Sequence, residues 1–409
     1  MINLTTVSDA LKNLYIEPIR EHVNLEADAL ASRILQTSDN IVGYKSIVRA
    51  AQIGANGGVG AGTETGALPS AGENLYVQLN SDTKNLYGTV EISDKIMKSA
   101  TGANAGSFVN ALTRDIETLV KTLKWNLARQ IYGDGSGKLA TFQANASTTT
   151  TPKLATGQTV QFLLPGLKVD HHAAAGTVTN AGLRILDVDF AKNTIRVDKS
   201  ITTAANDYLT IQGSGEASGA KLELTGMGAL FDTTNVTTLY GLTRANYSWL
   251  NPYLNTAFGA ITEQKLQDAI NVIEDAYNAK INHINAGNDA YGYYMALLNQ
   301  RRAINDVMVL EGGHKALLFN GIPLTRNKFM PRTTIDLYDT SLLSIDQVSD
   351  WEWFEGETRQ ILQRKAGYPV YEASLAKYCD LMCVLPAGLA RLSAVAAPAA
   401  TGGGGGGGG

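Results

Sequence analysis

The sequence carries few of the residues that build a chemical centre. It has two cysteines, Cys379 and Cys383, and five histidines in 409 residues. The cysteines are four apart in a strand-like run and so share one face. No further ligand is near in sequence, and two buried thiols fit better than a zinc site. The histidines form no cluster, and the adjacent pair His171 and His172 would point to opposite faces of a strand. No Ser-His-Asp or Cys-His arrangement is visible locally. No apolar run approaches the roughly 20 residues of a membrane span. The opening segment, MINLTTVSDALKNLYIEPIREHV, lacks the charged and apolar regions of a signal peptide. The expectation is a chain folded in a cytosol, without membrane contact. Charged residues are 18% and the net charge is −4, which gives no overall electrostatic footprint for nucleic acid.

What the chain does have is one long amphipathic stretch, residues 107–137, SFVNALTRDIETLVKTLKWNLARQIYGDGSG. Phe108, Leu112, Ile116, Leu119, Leu123, Leu127 and Ile131 recur every three or four residues and share a helical face. Asn110, Arg114, Glu117, Lys121 and Lys124 take the opposite one. Neither Pro nor Gly interrupts residues 108–132, which predicts a helix roughly 36 Å long. Gly133-Asp134-Gly135-Ser136-Gly137 then stops it. We read this helix as a spine carrying a strand-rich body.

Residues 1–45 read as an arm, with short amphipathic patterns at 4–15 and 25–35 separated by Pro18 and too short to be stable alone. In 46–93, SIVRAAQIG and NLYVQLNSDTKNLYGTVEIS are strand-like and flank a soft tip, ANGGVGAGTETGALPSAG. An isolated hairpin of this kind is marginal in water and needs a surface to lie on. Residues 139–225 carry short runs (TVQFLL, LRILDVDF, TIRVD, DYLTIQG, KLELTG), with a hairpin turn at Ala191-Lys192-Asn193, and suggest a small barrel or sandwich. After a loop-rich 226–258, Thr262 caps a helix presenting Leu266, Ile270, Ile273, Tyr277 and Ile281, with Glu263 in its first turn. A further helical pattern covers 291–307. Strands follow in 316–345 around Pro331, then as RQILQRK, YPVYEAS and KYCDLMCVLP. The tail 394–409 is low-complexity.

The sharper chemical readings give way to plainer ones. Gly57-Gly58-Val59-Gly60-Ala61-Gly62 suggests a phosphate loop, but no helix follows it to hold a phosphate at its N-terminus. Asp134 lacks the alternating acidic ligands of a calcium loop, and Asp187, Asp189 and Asp198 read as solvent-facing strand positions. Arg301, Arg302, Lys315, Arg326, Lys328 and Arg332 form a moderately basic region interleaved with Asp306 and Glu311. Contacts with acidic neighbouring subunits suit it at least as well as phosphate.

Four segments together resemble the major capsid proteins of tailed bacteriophages with the Hong Kong 97 fold. They are the Gly-rich hairpin leading into LYGTVEISDKIMKSA; the helix ending in NLARQIYGDGSGKLA; TGMGALFDTTNVTTLYGLTRANYSWLNP with ITEQKLQDAINVI; and GGHKALLFNGIPLTRNKFMP with SDWEWFEG and the closing strands. The resemblance implies an α+β chain. It comprises an N-terminal arm (1–45), an extended β-hairpin loop (46–93), a peripheral domain with the spine helix (94–138) and an inserted β-barrel or sandwich (139–225). A connecting segment (226–258), an axial domain (259–345), return strands to the peripheral domain (346–393) and a flexible tail (394–409) follow. It further implies a shell protein, not an enzyme, without cofactor or metal. Such a protein assembles as pentamers and hexamers into an icosahedral virion capsid around double-stranded DNA in a bacterial cytoplasm. Its partners would be other copies of itself, a separate scaffolding protein, a portal and a decoration protein. As candidate subunit contacts we single out Gly58, Glu64, Leu68, Tyr76, Lys84, Trp249, Arg326 and Lys328. Two rivals are a cellular encapsulating compartment of the same fold and a metal-dependent enzyme using the Asp-rich β-block.

Overall fold

The computed structural model describes residues 28–54, 56–95, 105–145, 147–155, 160–215, 221–300, 307–309, 315–355 and 360–399. The arm pattern at 4–15, Pro18, the tail beyond 399, Arg301, Arg302, Asp306 and Glu311 lie outside the described residues, as do the side chains of Phe108, Asn110, Leu112 and Lys315.

The spine helix, α1, spans Ala105–Ile131. Ile116, Val120, Leu123, Leu127 and Ile131 are buried, while Arg114, Glu117 and Lys121 are exposed. From Trp125 onward burial extends around the helix to include Ala128, Arg129 and Gln130, so α1 ends in the core. Its buried stripe lies on the strand Lys84–Ser93, whose Leu86, Gly88, Val90 and Ile92 face inward and whose Asn85, Tyr87, Thr89 and Glu91 face out. A Cβ at Gly88 would lie 3.1 Å from Leu119 and 3.2 Å from Leu123; the missing side chain lets the helix approach the strand closely. The last turn tightens, with Tyr132 N–H donating to Arg129 O and Gly133 N–H to Gln130 O. Gly135 and Gly137 then take positive φ, 82° and 75°.

The same strand belongs to a five-stranded sheet centred on Val370–Cys383. That strand of 14 residues pairs antiparallel with Lys84–Ser93 on one side, and with Leu343–Trp353 and Gln363–Arg364 on the other. Leu35–Thr37 adds to Leu343–Trp353 in parallel. The two runs expected separately, YPVYEAS and KYCDLMCVLP, are therefore one strand. Cys379 and Cys383 on it are free thiols, fully buried, and burial pushes the pKa of both up to about 12.

Ser46–Gln52 pairs antiparallel with Tyr76–Asp82, and Ile41–Val42 completes a three-stranded sheet. The hairpin is shorter than the sequence suggested. At Thr83 the chain leaves it, and Lys84–Ser93 enters the five-stranded sheet instead.

Beyond α1, the strands Ala140–Thr141, Tyr208–Ile211, Lys168–His172, Val178–Asp189 and Thr194–Val197 pair in that order. Residues 150–155 close the ring: Val197 N–H donates to Thr150 O, and Gln143 N–H to Lys153 O. The result is a small barrel filled by Phe142, Leu154, Val169, Leu183, Ile185, Ile195 and Leu209. Two expectations fail here. TVQFLL holds a 3-10 turn, Val160–Phe162, instead of a strand. KLELTG forms no strand, because Lys221, Glu223 and Leu224 bond to the end of the spine instead. The run KVDHH, not anticipated, is a central strand. The chain enters and leaves the barrel at nearly one place, since Glu223 N–H donates to Gly135 O and a Cβ on Gly137 would lie 2.5 Å from Ser214 O.

A second core lies under a seven-stranded sheet, ordered Tyr253–Asn255, Ala390–Leu392, Ile335–Tyr338, His283–Ala286, Ile322–Arg326, Lys315–Phe319, Val307–Val309. Met227–Phe231 forms the short helix α2. Glu263–Tyr277 forms α3, whose Leu266, Ile270 and Ile273 face this core. Thr262 Oγ1 accepts from Lys265 N–H at 3.2 Å. Asn278, at φ 52°, ends the helix, so Ile281 is buried beyond it. Tyr277, expected on the buried face, is 40% exposed. Helix α4, Asn288–Gln300, starts earlier than expected, and Val307 already lies in a strand.

Candidate assembly surfaces

The base of the hairpin is fastened to the five-stranded sheet. Ile47, Ala51 and Leu79 are buried beneath it. Arg49 Nη1 donates to Ser344 Oγ, and its Nε lies 4.0 Å from the buried Asp346. Burial raises the Asp346 carboxyl, against the lowering effect of Arg49. Ser81 Oγ donates to Asp380 Oδ2 at 2.6 Å, and Thr225 donates to the same carboxyl through N–H (2.7 Å) and Oγ1 (2.9 Å). Burial pushes Asp380 up as well. Asn80 N–H donates to Tyr240 O, whose hydroxyl donates to Leu381 O. The hairpin is thus rigid at its root.

Its tip is different. Past the last strand pair, Ile53 N–H still donates to Leu75 O. The two sides then meet at a glycine neck, where a Cβ on Gly72 would lie 2.4 Å from both Gly57 N and Gly58 N. Asn56 Oδ1 accepts from Gly58 N–H at 2.9 Å. Beyond the neck the backbone is extended coil with a local turn, Gly66 N–H to Thr63 O. Val59 is 87% and Leu68 90% exposed. Residues 54–75 hold two charges, Glu64 and Glu73, and no lysine or arginine. The tip is thus an exposed, nearly neutral loop bearing apolar side chains on a fixed base.

Of the anticipated contact residues, Gly58, Glu64, Leu68 and Tyr76 come together on this hairpin. Lys84, at its root, is half-buried and donates Nζ to Lys221 O at 2.9 Å. Trp249 is half-buried and stands edge-on to Tyr247. Arg326 and Lys328 are exposed together beside the second core, with Lys328 Nζ 4.9 Å from the Phe329 ring. Sequence reasoning missed an aromatic row on the outer face of the five-stranded sheet: exposed Tyr87, with exposed Phe354 at 6.0 Å and half-buried Tyr378 at 6.2 Å between ring centroids. The alternation of Lys84–Ser93 held the signal, since it sends Tyr87 away from α1.

The two cores join through buried polar side chains. Asp28 Oδ2 accepts from Tyr132 Oη at 2.7 Å, and its Oδ1 accepts from Asn327 Nδ2. Asn285 Nδ2 donates to Tyr132 Oη, and His283 Nε2 lies 2.8 Å from Asn285 Oδ1. Arg391 holds Asp336 bidentately at 2.8 and 2.7 Å. A cleft of about 540 Å³ opens nearby between the end of α1 and residues 329–332. Three of its cations are already matched: Arg129 by Glu223, Arg391 by Asp336 and Arg332 by Asp289.

The remaining chemical candidates serve the fold. His171 Nε2 lies 3.1 Å from Asp207 Oδ2 and its Nδ1 3.0 Å from Asn180 Nδ2, while His172 stacks on Tyr208 with centroids 4.9 Å apart. Asp189 accepts from Ala191 and Lys192 N–H in the hairpin turn, and Asp187 and Asp198 are exposed. Asp134 caps Ser136. Among the described residues no group of three or more His, Cys, Asp or Glu is placed to hold a metal ion. No described helix is long and apolar enough to cross a membrane.

By sequence, no family model and no curated protein matches this chain. By structure, the capsid chain of cyanophage A-1(L) is similar over 91% of this chain and 94% of that one, with a TM-score of 0.53 at 10% identity. The capsid chain of a native GTA particle covers 90% of each at a TM-score of 0.45 and 11% identity. The SrpI encapsulin of Synechococcus elongatus covers 79% and 78% at 0.40 and 10% identity. The first of these likenesses spans nearly the whole of both chains and fixes the fold as that of the Hong Kong 97-type capsid proteins.

Proposed function

We propose that this chain is the major capsid protein of a tailed bacteriophage, a structural subunit and not an enzyme. It closes with copies of itself into an icosahedral head around double-stranded DNA. The observation that carries the reading is the hairpin: a base pinned to the body by Arg49 and Ser81, and a tip with Val59 and Leu68 almost fully exposed, on a chain with the fold of a phage capsid subunit. In this reading residues 46–82 reach across a neighbouring subunit. The body around α1 forms the peripheral part, the second core the axial part, and the barrel an insertion between them. Many weak contacts, repeated over every subunit, make the shell stable. The net charge of −4 suits a container that holds DNA without gripping it.

The test is negative-stain microscopy and sedimentation of the chain expressed alone and with its neighbouring genes, next to a variant lacking residues 55–72. Rings or closed particles from the full chain, and soluble unassembled subunits from the deletion, are expected. Normal particles from the deletion would refute the bridging role of the tip. A full chain that stays monomeric under every co-expression would refute the shell reading.

A further inference from the structure

The sequence contains two Asn-Gly dipeptides, Asn56-Gly57 and Asn320-Gly321. Both are exposed, yet their backbones differ. Asn320 and Gly321 form the two-residue turn between the paired strands Lys315–Phe319 and Ile322–Arg326, with Phe319 opposite Ile322. Their φ values are 49° and 81°, as that turn type demands. The Asn320 amide is also held, donating Nδ2 to Gln267 Oε1 at 2.7 Å. Asn56 lies in coil. An added Cβ at Gly57 would meet nothing within 4 Å, and its φ is not in the left-handed range. Among the described residues, the one hydrogen bond to the Asn56 side chain runs to its oxygen, from Gly58 N–H at 2.9 Å.

We infer that Asn56 is a site of spontaneous modification and that Asn320 is protected from it. The backbone nitrogen of Gly57, once deprotonated, attacks Cγ of Asn56. The Gly58 N–H is positioned to stabilise the charge that develops on Oδ1. The Cγ–Nδ2 bond breaks, ammonia leaves and a five-membered succinimide forms. Water opens that ring at either carbonyl, giving aspartate or isoaspartate; no oxidant or reductant takes part. The same attack at Asn320 first requires the hairpin turn to open. The product places a third carboxylate on a tip whose existing charges are Glu64 and Glu73. It also places that charge at the neck, where a Cβ on Gly72 would lie 2.6 Å from Asn56 Oδ1. In the capsid reading, on which this consequence rests, modified subunits seat their tips poorly, so the reaction marks subunits that have waited unassembled.

The chemistry is tested on the unassembled full chain, independently of that reading. Protein is incubated in mildly alkaline buffer, digested with trypsin and followed by mass spectrometry. Residues 50–84 carry Asn56 and residues 316–326 carry Asn320 on separate peptides. Conversion of amide to acid is expected at least about tenfold faster at Asn56, rising with pH. Gly57→Ala, for which there is room, should slow it by crowding the attacking nitrogen. Equal rates at the two asparagines, or an undiminished rate in Gly57→Ala, would overturn the inference.

Discussion

Arg129 and Glu223 form a buried ion pair between the last turn of α1 and the segment leaving the barrel. Their side chains are 6% and 4% exposed. Arg129 Nη1 donates to Glu223 Oε2 at 2.9 Å, Nη2 donates to the other carboxylate oxygen, and Nη2 also reaches Asn126 Oδ1 at 2.8 Å. Replacing Arg129 with Met keeps most of the side-chain volume and strands the carboxylate without its cation. Breaking one side of such a pair costs about 3–5 kcal/mol. Removing both charges, as in Arg129→Met with Glu223→Leu, is close to neutral by the same reasoning. Urea unfolding of the purified chain reads the difference. With a slope of about 3 kcal/mol/M or more for a chain of this size, the single variant should lose about 1 M in midpoint. The double variant should recover most of it. A single variant within about 1 kcal/mol of the parent, or a double variant no better than the single, would refute the claim that the pair closes the spine against the barrel.

Gly226→Ala would set a Cβ 2.3 Å from Gln130 O and 2.6 Å from Ile131 O; a loss of at least about 1–3 kcal/mol is expected, measured as a lower unfolding midpoint. Leu123→Asp, on the fully buried part of α1, should abolish soluble protein. Leu119→Asp should be milder because Leu119 is half-buried, and comparison of soluble yields checks this. Burial lowers the His171 pKa from 6.5 despite the opposing pull of Asp207. The unfolded chain therefore binds the proton first, and stability present at neutral pH is lost as pH falls below 6.5. Denaturant midpoints at about pH 7.5 and about pH 5.5 should separate more in the parent than in His171→Gln.

The spine, the cap at Thr262 and the turn before Thr194 were legible because each depends on residues a few positions apart. So was the soft tip, since a stretch with almost no core-forming side chain has nothing to bury. The failures share a cause. KLELTG looks like a strand by alternation, but Glu223 is claimed by Arg129, 94 residues away. The hairpin boundary at Thr83 is set by which sheet has an open edge, and the sequence of Lys84–Ser93 is equally good for either. The joint of Asp28, Tyr132, Asn285 and Asn327 unites residues up to 299 apart, and no local pattern marks them. The candidate contact residues on the tip followed from composition. The aromatic row needed Tyr87, Phe354 and Tyr378 to be brought side by side by strand register.

The barrel hangs from the spine by two strands of chain that touch at Gly135 and Gly137. A module attached in this way behaves as a cassette. Its removal leaves a gap that a linker of about 2–6 residues spans, and costs the body contacts such as the stack of Phe162 on Phe329. Selection can enlarge, exchange or discard such a module without re-solving the strand pairing of the rest of the chain. The same two glycines mark the position at which a foreign domain can be grafted onto the chain.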